Sequence, residues 1–490
     1  MPRGFAPAPT PRKISLVPGL DELFGPSYPP TPVTGVTHDS RLVQPGFVFV
    51  AIEGIPSPSR APLDGHDFIP QAIQRGAAGI VGAKNLELPV PYLKVADARK
   101  ALADLSAAFW GHPAKQLKLI GVTGTKGKTT VAVLTHHLLQ FAHPPIGRIS
   151  TVGVRIGEEE LFLSGHFTTP EAPQVQEMLA RFVAAGCPGA VLEVSSHALA
   201  LERVRGLEYE VGVWTNLSPD HLDFHGTMER YFAAKQLLLR RSRFGILNRE
   251  DPYYPQLPGL EHWSYGEGGD WQAEHLLETA GGLHFRVKSP LGAFRVSLPA
   301  IGKFNALNAL AAMAAAARLG AKIPELQAGL EFFPGVPGRM QIVQATPFRV
   351  IVDFAHTESS VRAALEGLRP TTRGRLVIVV GAAGERGAER RTGIGRAAGE
   401  LADFAVFTEE DHRSESLEAI LQTMAEAARA VGGQYALIGD RREAIRWAIQ
   451  HAEPGDTILL AGKGHERTLE RGGEVLPWDE VEEARKALGR

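Results

Sequence analysis

Residues 117–130, LKLIGVTGTKGKTT, restrict the fold of this chain more than any other segment. A short apolar run (Leu117–Val122) gives way to a Gly-rich loop and then to a helical stretch from Thr129 to Phe141. Strand, tight loop and helix in that order make half of a βαβ unit, which requires a parallel sheet with helices laid over it. Glycines let backbone N–H groups turn toward an anion, and the helix N-terminus adds positive potential. The segment predicts a polyphosphate cradle, with Lys128 reaching the β- and γ-phosphates and the Thr129 hydroxyl on Mg²⁺. The expected nucleotide is ATP. The spacing departs by one residue from the common loop, because G-VTGTK-G-K has five residues between its first Gly and its Gly-Lys pair. A solvated Gly/Thr turn is the bland alternative.

The chain has 490 residues, and at roughly 150 residues per domain about three domains are expected. The expected boundaries are 1–115, 116–336 and 337–490. The first block carries a β-type run (Gly46–Ile52), a Pro/Ser-rich loop (Ile55–Pro62) and a helix-plus-strand pattern from Phe68 to Val81, so it reads as a small α/β module. The second adds buried-strand candidates at Ala190–Val194 and Val211–Thr215 and an Ala-rich helix over Asn305–Leu319. PGVPG at Pro334–Gly338 reads as a linker and hinge, across which the third block would close on the second. The third block has strands at Phe348–Phe354, Arg375–Gly381, Asp403–Thr408, Tyr435–Ile438 and Thr457–Ala461, separated by helical segments. That is the rhythm of a Rossmann-like doubly wound sheet. The fold class expected throughout is α/β.

Composition narrows the partners. With 52 Lys+Arg against 54 Asp+Glu, the net charge of −2 leaves no basic excess for nucleic acid or an anionic membrane. Cys187 is the single cysteine, so no internal disulfide or Cys-rich metal site can form. The longest apolar run, Ala309–Ala317, is about half of what a bilayer span needs, and the Pro-rich start lacks a secretory apolar core. A cytoplasmic, monomeric protein is expected.

Further chemistry clusters downstream. Glu193 in LEVSSH closes an apolar strand, where a metal-directed carboxylate belongs beside a phosphate cradle; a solvated strand-end Glu is the plain alternative. Asp220, His221, Asp223 and His225 lie within six residues, a spacing that zinc could use. Hard oxygen ligands suit Mg²⁺ better than a His-rich set, and a satisfied loop network explains the cluster as well.

Together these segments resemble the Mur ligase family, ATP-dependent amide-forming enzymes of peptidoglycan precursor assembly. GVTGTKGKTT, EVSSH, TNLSPDHLDFHG with AAK, GKFNALNALAA, PGRMQ and VDFAHT occur in family order. THDSR with PGFVFVAIEG near the start and AGKGHE near the end extend the resemblance over nearly the whole chain and point to the MurE branch. The resemblance implies that ATP phosphorylates the D-glutamyl carboxylate of UDP-N-acetylmuramoyl-L-alanyl-D-glutamate to an acyl phosphate, which the amine of a diamino acid displaces. It implies ATP contacts at Gly124, Thr125, Lys126, Gly127, Lys128, Thr129, Thr130, Asn305, Arg339, Asp353 and His356. Metal would be held by Thr129, Glu193, His221 and Lys235, with Lys128, Lys235 and His221 catalytic. Lys235 matches the position where CO₂ carbamoylates the amine, which turns a cation that repels Mg²⁺ into an oxygen anion that binds it. Ser40 matches the uridine side, and Thr168, Thr169, Ser195 and Arg203 match the muramoyl-dipeptide site. Leu201 stands where many relatives place a Gln, so one polar contact there is lost or supplied elsewhere.

The resemblance places the incoming amino acid at Arg386, Glu410, Asp411, Arg413, Gly462 and Glu466. Enzymes of this branch that use meso-diaminopimelate commonly carry Asp-Asn-Pro-Arg where this chain has Glu410-Asp411-His412-Arg413. An added carboxylate at Asp411 disfavours a second substrate carboxylate and favours a bare ammonium, so L-lysine or L-ornithine is expected over meso-diaminopimelate. Arg413 is free to grip a carboxylate bidentately or to pair with Asp411 or Glu415. The series Gly381, Gly384, Gly387 lacks the G-x-G pair of a dinucleotide site. A MurF-type ligase or folylpolyglutamate synthase is the near alternative, and a P-loop switch or motor ATPase the distant one.

Overall fold

The computed structural model describes residues 18–54, 63–161, 168–279, 281–385 and 387–489. The loop Ile55–Pro62 and the expected site residue Arg386 lie outside them. Packing divides the chain into two units: Met1–Gln272 with Lys288–Gly292 and Asn308–Gly329, and Ala273–Val287 with Ala293–Leu307 and Leu330–Arg490.

The first unit holds two sheets. Its four-stranded sheet runs Gly35–Thr37, Phe47–Val50, Gly79–Gly82, Tyr92–Lys94, all parallel. Leu20, Val48, Val50, Val81 and Leu102 pack one core against it. The eight-stranded sheet is ordered His262–Tyr265, Ser242–Asn248, Tyr209–Trp214, Lys118–Thr123, Gly189–Glu193, Gly147–Ser150, Gly153–Ile156, Glu159–Leu161. Its first six strands are parallel and the last two antiparallel. The central strands are buried on both faces, as continuous apolar runs such as Leu119-Ile120 and Val191-Leu192 require. Helices Lys128–Ala142 and Ala172–Ala184 return the chain across this sheet. The strands expected at Leu117–Val122, Ala190–Val194 and Val211–Thr215 and the helix expected from Thr129 to Phe141 fall within two residues of observed ones, while Gly147–Ser150, the antiparallel extension, the outer parallel strands and helix Ala172–Ala184 were not expected.

The second unit is built on a six-stranded sheet ordered Gln341–Gln344, Arg349–Asp353, Thr457–Ala461, Leu376–Val380, Phe404–Phe407, Tyr435–Leu437. Only the first pairs antiparallel. The five parallel strands are the five expected, and their zigzag order puts Thr457–Ala461, last in sequence, at the centre. One face is covered by Val361, Leu365, Ile394, Ile420 and Met424, the other by Ala444, Ile445, Trp478 and Ala484. A further sheet of Gln272–Thr279, Gly282–Ser289 and Gly292–Leu298 was not expected from the sequence. Among the described residues no helix is long and apolar enough to cross a membrane.

Candidate active site

Within the first unit, the carboxyl ends of Lys118–Thr123, Gly189–Glu193 and Tyr209–Trp214 lie side by side in the sheet, where open α/β folds place their ligands. Gly124 (φ 147°) and Gly127 (φ 81°) take backbone conformations that L side chains rarely adopt. A Cβ on Gly124 would stand 1.9 Å from Thr215 Oγ1, and one on Gly127 would stand 2.6 Å from Asn308 Oδ1. The neighbouring strand end clamps the loop. Asn216 Oδ1 accepts from Lys126 N (2.9 Å), Asn216 Nδ2 donates to Lys126 O (3.1 Å), and Thr215 Oγ1 donates to the same carbonyl (2.6 Å). Thr125 N donates to Asn216 O at 2.8 Å, and Thr125 Oγ1 lies 3.1 Å from Tyr231 Oη. Asn216 and Tyr231 were not singled out from sequence, though Asn216 sits inside the TNLSPDH segment.

Thr129, in the first turn of helix Lys128–Ala142, donates to Glu193 Oε1 at 2.9 Å, and Thr151 N donates to Glu193 Oε2 at 2.8 Å. Glu193 is buried, so it is not a solvated strand-end carboxylate. Lys128 Nζ donates to Thr125 O (2.9 Å). Lys235 is fully buried on helix Met228–Arg240; its Nζ donates to Gly124 O (2.6 Å) and lies 4.7 Å from the centre of the Tyr231 ring. Burial, then the nearby Lys128 charge, pushes the Lys235 amine well below its ordinary range.

His221 is half-exposed in a left-handed backbone position (φ 52°), with its ring 4.8 Å from that of His197. Partial burial lowers its basicity, and Lys128 and Lys235 add to the effect against Asp220. His197 is pushed down to about 4 by burial and by His221 and His225. His225 shares a 2.9 Å hydrogen bond with Ser196 Oγ. Among the described residues no group of three or more His, Cys, Asp or Glu is placed to hold a metal ion. A site of one carboxylate and one hydroxyl fits a hard cation that takes its remaining ligands from phosphates and water.

The expected dipeptide residues meet on the same edge. Thr169 Oγ1 donates to Glu193 O (2.8 Å) and accepts from Ser195 N (3.1 Å); Arg203 Nη1 donates to Thr169 O (3.1 Å) and Nη2 pairs with Glu171 (2.7 Å). Ser195 caps helix Ser196–Ala200, which ends at Leu201. Thr168 is half-buried beside Thr169. Ser40 belongs to the four-stranded part, buried, with its hydroxyl on Gln71 Oε1 (2.6 Å).

In the second unit, Asp353 accepts from Met340 N (2.7 Å) and Ala355 N (2.8 Å), and burial raises its carboxyl above the usual range despite Arg339. The Arg339 guanidinium stacks 4.7 Å from the Phe354 ring. His356 Nδ1 lies 2.6 Å from Phe354 O, and Asn305 Nδ2 donates to Ile301 O (2.7 Å).

Of the expected amino-acid residues, Glu410, Asp411 and Arg413 follow strand Phe404–Phe407, and Gly462 and Glu466 follow strand Thr457–Ala461 of that unit. Glu410 is buried and its Oε2 has no hydrogen-bond partner among the described residues. Burial raises its carboxyl, with Arg390 (3.7 Å) the leading opposing charge. A Cβ on Gly462 would stand 2.7 Å from that oxygen. Two sequence expectations need correction. Arg413 pairs with neither Asp411 nor Glu415 but with Glu470 (3.0 Å), and also donates to Gly384 O (3.2 Å). Asp411 is not an open charge either: buried Lys463 binds both its oxygens (2.8 and 3.0 Å), and Glu470 N donates to it (2.8 Å). Lys463 also pairs with Glu466 (2.6 Å). The hairpin Thr468–Arg471 with Glu474–Pro477 brings Glu470 to this place, and nothing local in the sequence signals that pairing.

A glycine-cradled loop with a buried carboxylate, threonine and lysine beside it is the polyphosphate site that an ATP-dependent ligase of the acid–amino-acid class requires. The comparisons with known proteins agree. Residues 32–110 match the Mur ligase family catalytic domain, 122–316 the Mur ligase middle domain and 338–464 the Mur ligase glutamate ligase domain. A UDP-N-acetylmuramyl-tripeptide synthetase of Deinococcus radiodurans is 53% identical over 94% of this chain and 95% of its own. A UDP-N-acetylmuramoyl-L-alanyl-D-glutamate–2,6-diaminopimelate ligase of Geobacillus thermodenitrificans is 40% identical over 93% and 95%. A solved structure of a UDP-N-acetylmuramoyl-L-alanyl-D-glutamate–2,6-diaminopimelate ligase is 29% identical, with a TM-score of 0.68 over 97% of this chain and 99% of that one. The chain belongs to the Mur ligase family, in its MurE branch.

Proposed function

We propose that this ligase joins a diamino acid to the D-glutamyl carboxylate of UDP-N-acetylmuramoyl-L-alanyl-D-glutamate in the cytoplasm, and that L-lysine or L-ornithine is preferred over meso-diaminopimelate. The carrying observation is Glu410 Oε2, buried and without a partner among the described residues, together with an Arg413 already neutralised by Glu470. A substrate ammonium supplies the missing partner of Oε2, whereas a second substrate carboxylate meets an acid oxygen with no donor and an occupied guanidinium.

In the reaction, the acceptor carboxylate oxygen takes the γ-phosphoryl group and ADP leaves. The amine then attacks the carbonyl carbon, the C–O bond to phosphate breaks, and the nitrogen loses its proton. Both reactants are anionic, so cationic groups at the cradle offset their repulsion. Lys128 and the N–H groups of Gly124–Thr130 bind the phosphates, and Thr169, Ser195 and Arg203 orient the acceptor. Thr129, Glu193, His221 and a carbamoylated Lys235 would hold Mg²⁺, which neutralises phosphate charge. Asn305, Arg339, Asp353 and His356 are assigned to ATP, Ser40 to the uridine side, and Thr168 to the acceptor. Arg386, outside the described residues, is assigned to the amino acid with Glu410, Asp411, Arg413, Gly462 and Glu466.

Competition among L-lysine, L-ornithine and meso-diaminopimelate, with phosphate release and product mass as readouts, tests the reading. Clear preference for diaminopimelate refutes the specificity. Product from a tripeptide or folate acceptor instead would move the enzyme to the MurF or folylpolyglutamate class.

A further inference from the structure

Arg441 is fully buried at the start of helix Arg441–Gln450, and its charge faces the fully buried Glu480 on helix Glu480–Ala487. Nε lies 2.9 Å from Glu480 Oε2, and Nη2 lies 2.6 Å from Oε1; Trp478 Nε1 donates to the same carboxylate (2.7 Å). The rest of the guanidinium is spent on main chain. Nη1 donates to Glu409 O (3.1 Å) and Nη2 to Ala461 O (2.7 Å). Those two carbonyls immediately precede Glu410 and Gly462. Arg441 N also donates to Glu409 Oε1 (3.1 Å), and Arg471 pairs with the same carboxylate.

Docking the two helices does not need this ion pair, because Ala444, Ile445, Trp478 and Ala484 already share an apolar core. Burying two charges is expensive, and well-packed apolar residues often replace such pairs without loss. Apolar residues cannot, however, donate hydrogen bonds to two strand-end carbonyls. We propose that Arg441, held by Glu480, is a positioning residue for amino-acid binding: it fixes the peptide units before Glu410 and Gly462 so that Glu410 Oε2 faces one defined point. The proposal rests on the reading that Glu410 and Gly462 line the amino-acid site.

Steady-state KM values for amino acid, ATP and nucleotide-sugar acceptor, measured on the full-length enzyme, provide the test. Arg441→Met is expected to raise the amino-acid KM by about tenfold or more, the equivalent of roughly one net hydrogen bond, with the other two KM values within about twofold. Arg441→Lys should recover part of the loss. Glu480→Gln, which preserves shape, should raise the same KM alone by a smaller factor, and it decides the matter where Arg441→Met does not fold. Arg442→Ala removes the neighbouring pair between half-exposed Arg442 and Glu483 (2.6 Å), which bonds neither strand-end carbonyl, and should change none of the three. The proposal falls if the folded variants leave the amino-acid KM unchanged or raise all three together, or if neither variant folds, since the pair is then only an anchor. Glu410→Gln separates the two layers. An unchanged amino-acid KM there refutes the site assignment, while a raised one with normal Arg441 and Glu480 variants refutes the positioning role alone.

Discussion

Gly124→Ala tests the phosphate loop most directly, because its cost can be assembled from the geometry. At φ 147° an alanine carries backbone strain of about 1–3 kcal/mol. Its Cβ would stand 3.0 Å from Asn216 N and O, which are main-chain atoms that cannot swing away, and 1.9 Å from Thr215 Oγ1. The threonine relieves that overlap only by turning its hydroxyl off Lys126 O (2.6 Å) and Thr123 O (3.2 Å), a loss of about 1–2 kcal/mol. A total of about 2–5 kcal/mol is a large share of the roughly 5–15 kcal/mol that stabilises a domain. Urea unfolding of wild type, Gly124→Ala, Thr215→Ala and the double variant reads the terms separately. The double variant should be less destabilised than the sum of the singles by about 1 kcal/mol, since the overlap with the hydroxyl is counted once it exists and vanishes with it. The ATP KM of Gly124→Ala should rise by about tenfold or more even where the protein stays folded. A single variant within about 0.5 kcal/mol of wild type, or strict additivity in the cycle, would show that the loop is not held as described.

Asn216→Ala removes both bonds to the Lys126 peptide, so it should cost about 2 kcal/mol and weaken ATP binding while leaving the amino-acid KM unchanged; isothermal titration with ATP checks the pattern. Lys235, depressed in the folded state, makes the unfolded chain bind more protons from its folded pKa up to about 10.4. Stability in CO₂-free buffer should therefore gain a component that grows as pH rises through that window, and Lys235→Met should lack it; unfolding at pH 7 and 9.5 compares the two. The same variant should lose ligase activity by over about a hundredfold, and equal activity with or without dissolved CO₂ in wild type would refute the carbamate. Asp411→Asn leaves Lys463 with Glu466 as its remaining carboxylate partner, so the ratio of kcat/KM for meso-diaminopimelate over L-lysine should rise; a ratio that stays the same removes Asp411 from specificity.

The apolar central strands and the phosphate loop were legible in the sequence because each depends on neighbours in the chain. A run such as Leu376–Val380 is apolar on both faces whatever packs on it, and a glycine at φ 81° stands directly before Lys128. Glu193 and Lys235 were singled out through segments that keep family order, and the structure adds that both are buried, Glu193 on Thr129 and Lys235 on Gly124 O.

Charge pairing was not legible in the same way. Glu410-Asp411-His412-Arg413 names four polar residues, but their electrostatics depend on Lys463, Glu470 and Arg390, brought in from other strands and helices. Thus Asp411, the added carboxylate, is neutralised, while Glu410 keeps an oxygen without a partner among the described residues. Arg441 and Glu480 read as ordinary helix-surface residues until burial places them together. Local periodicity and loop chemistry are written along the chain, so the sequence alone determined the layered α/β plan and the nucleotide cradle. Which charges meet, and which is left open for a substrate, is set by distances between residues far apart in the chain, and only the tertiary structure decided that.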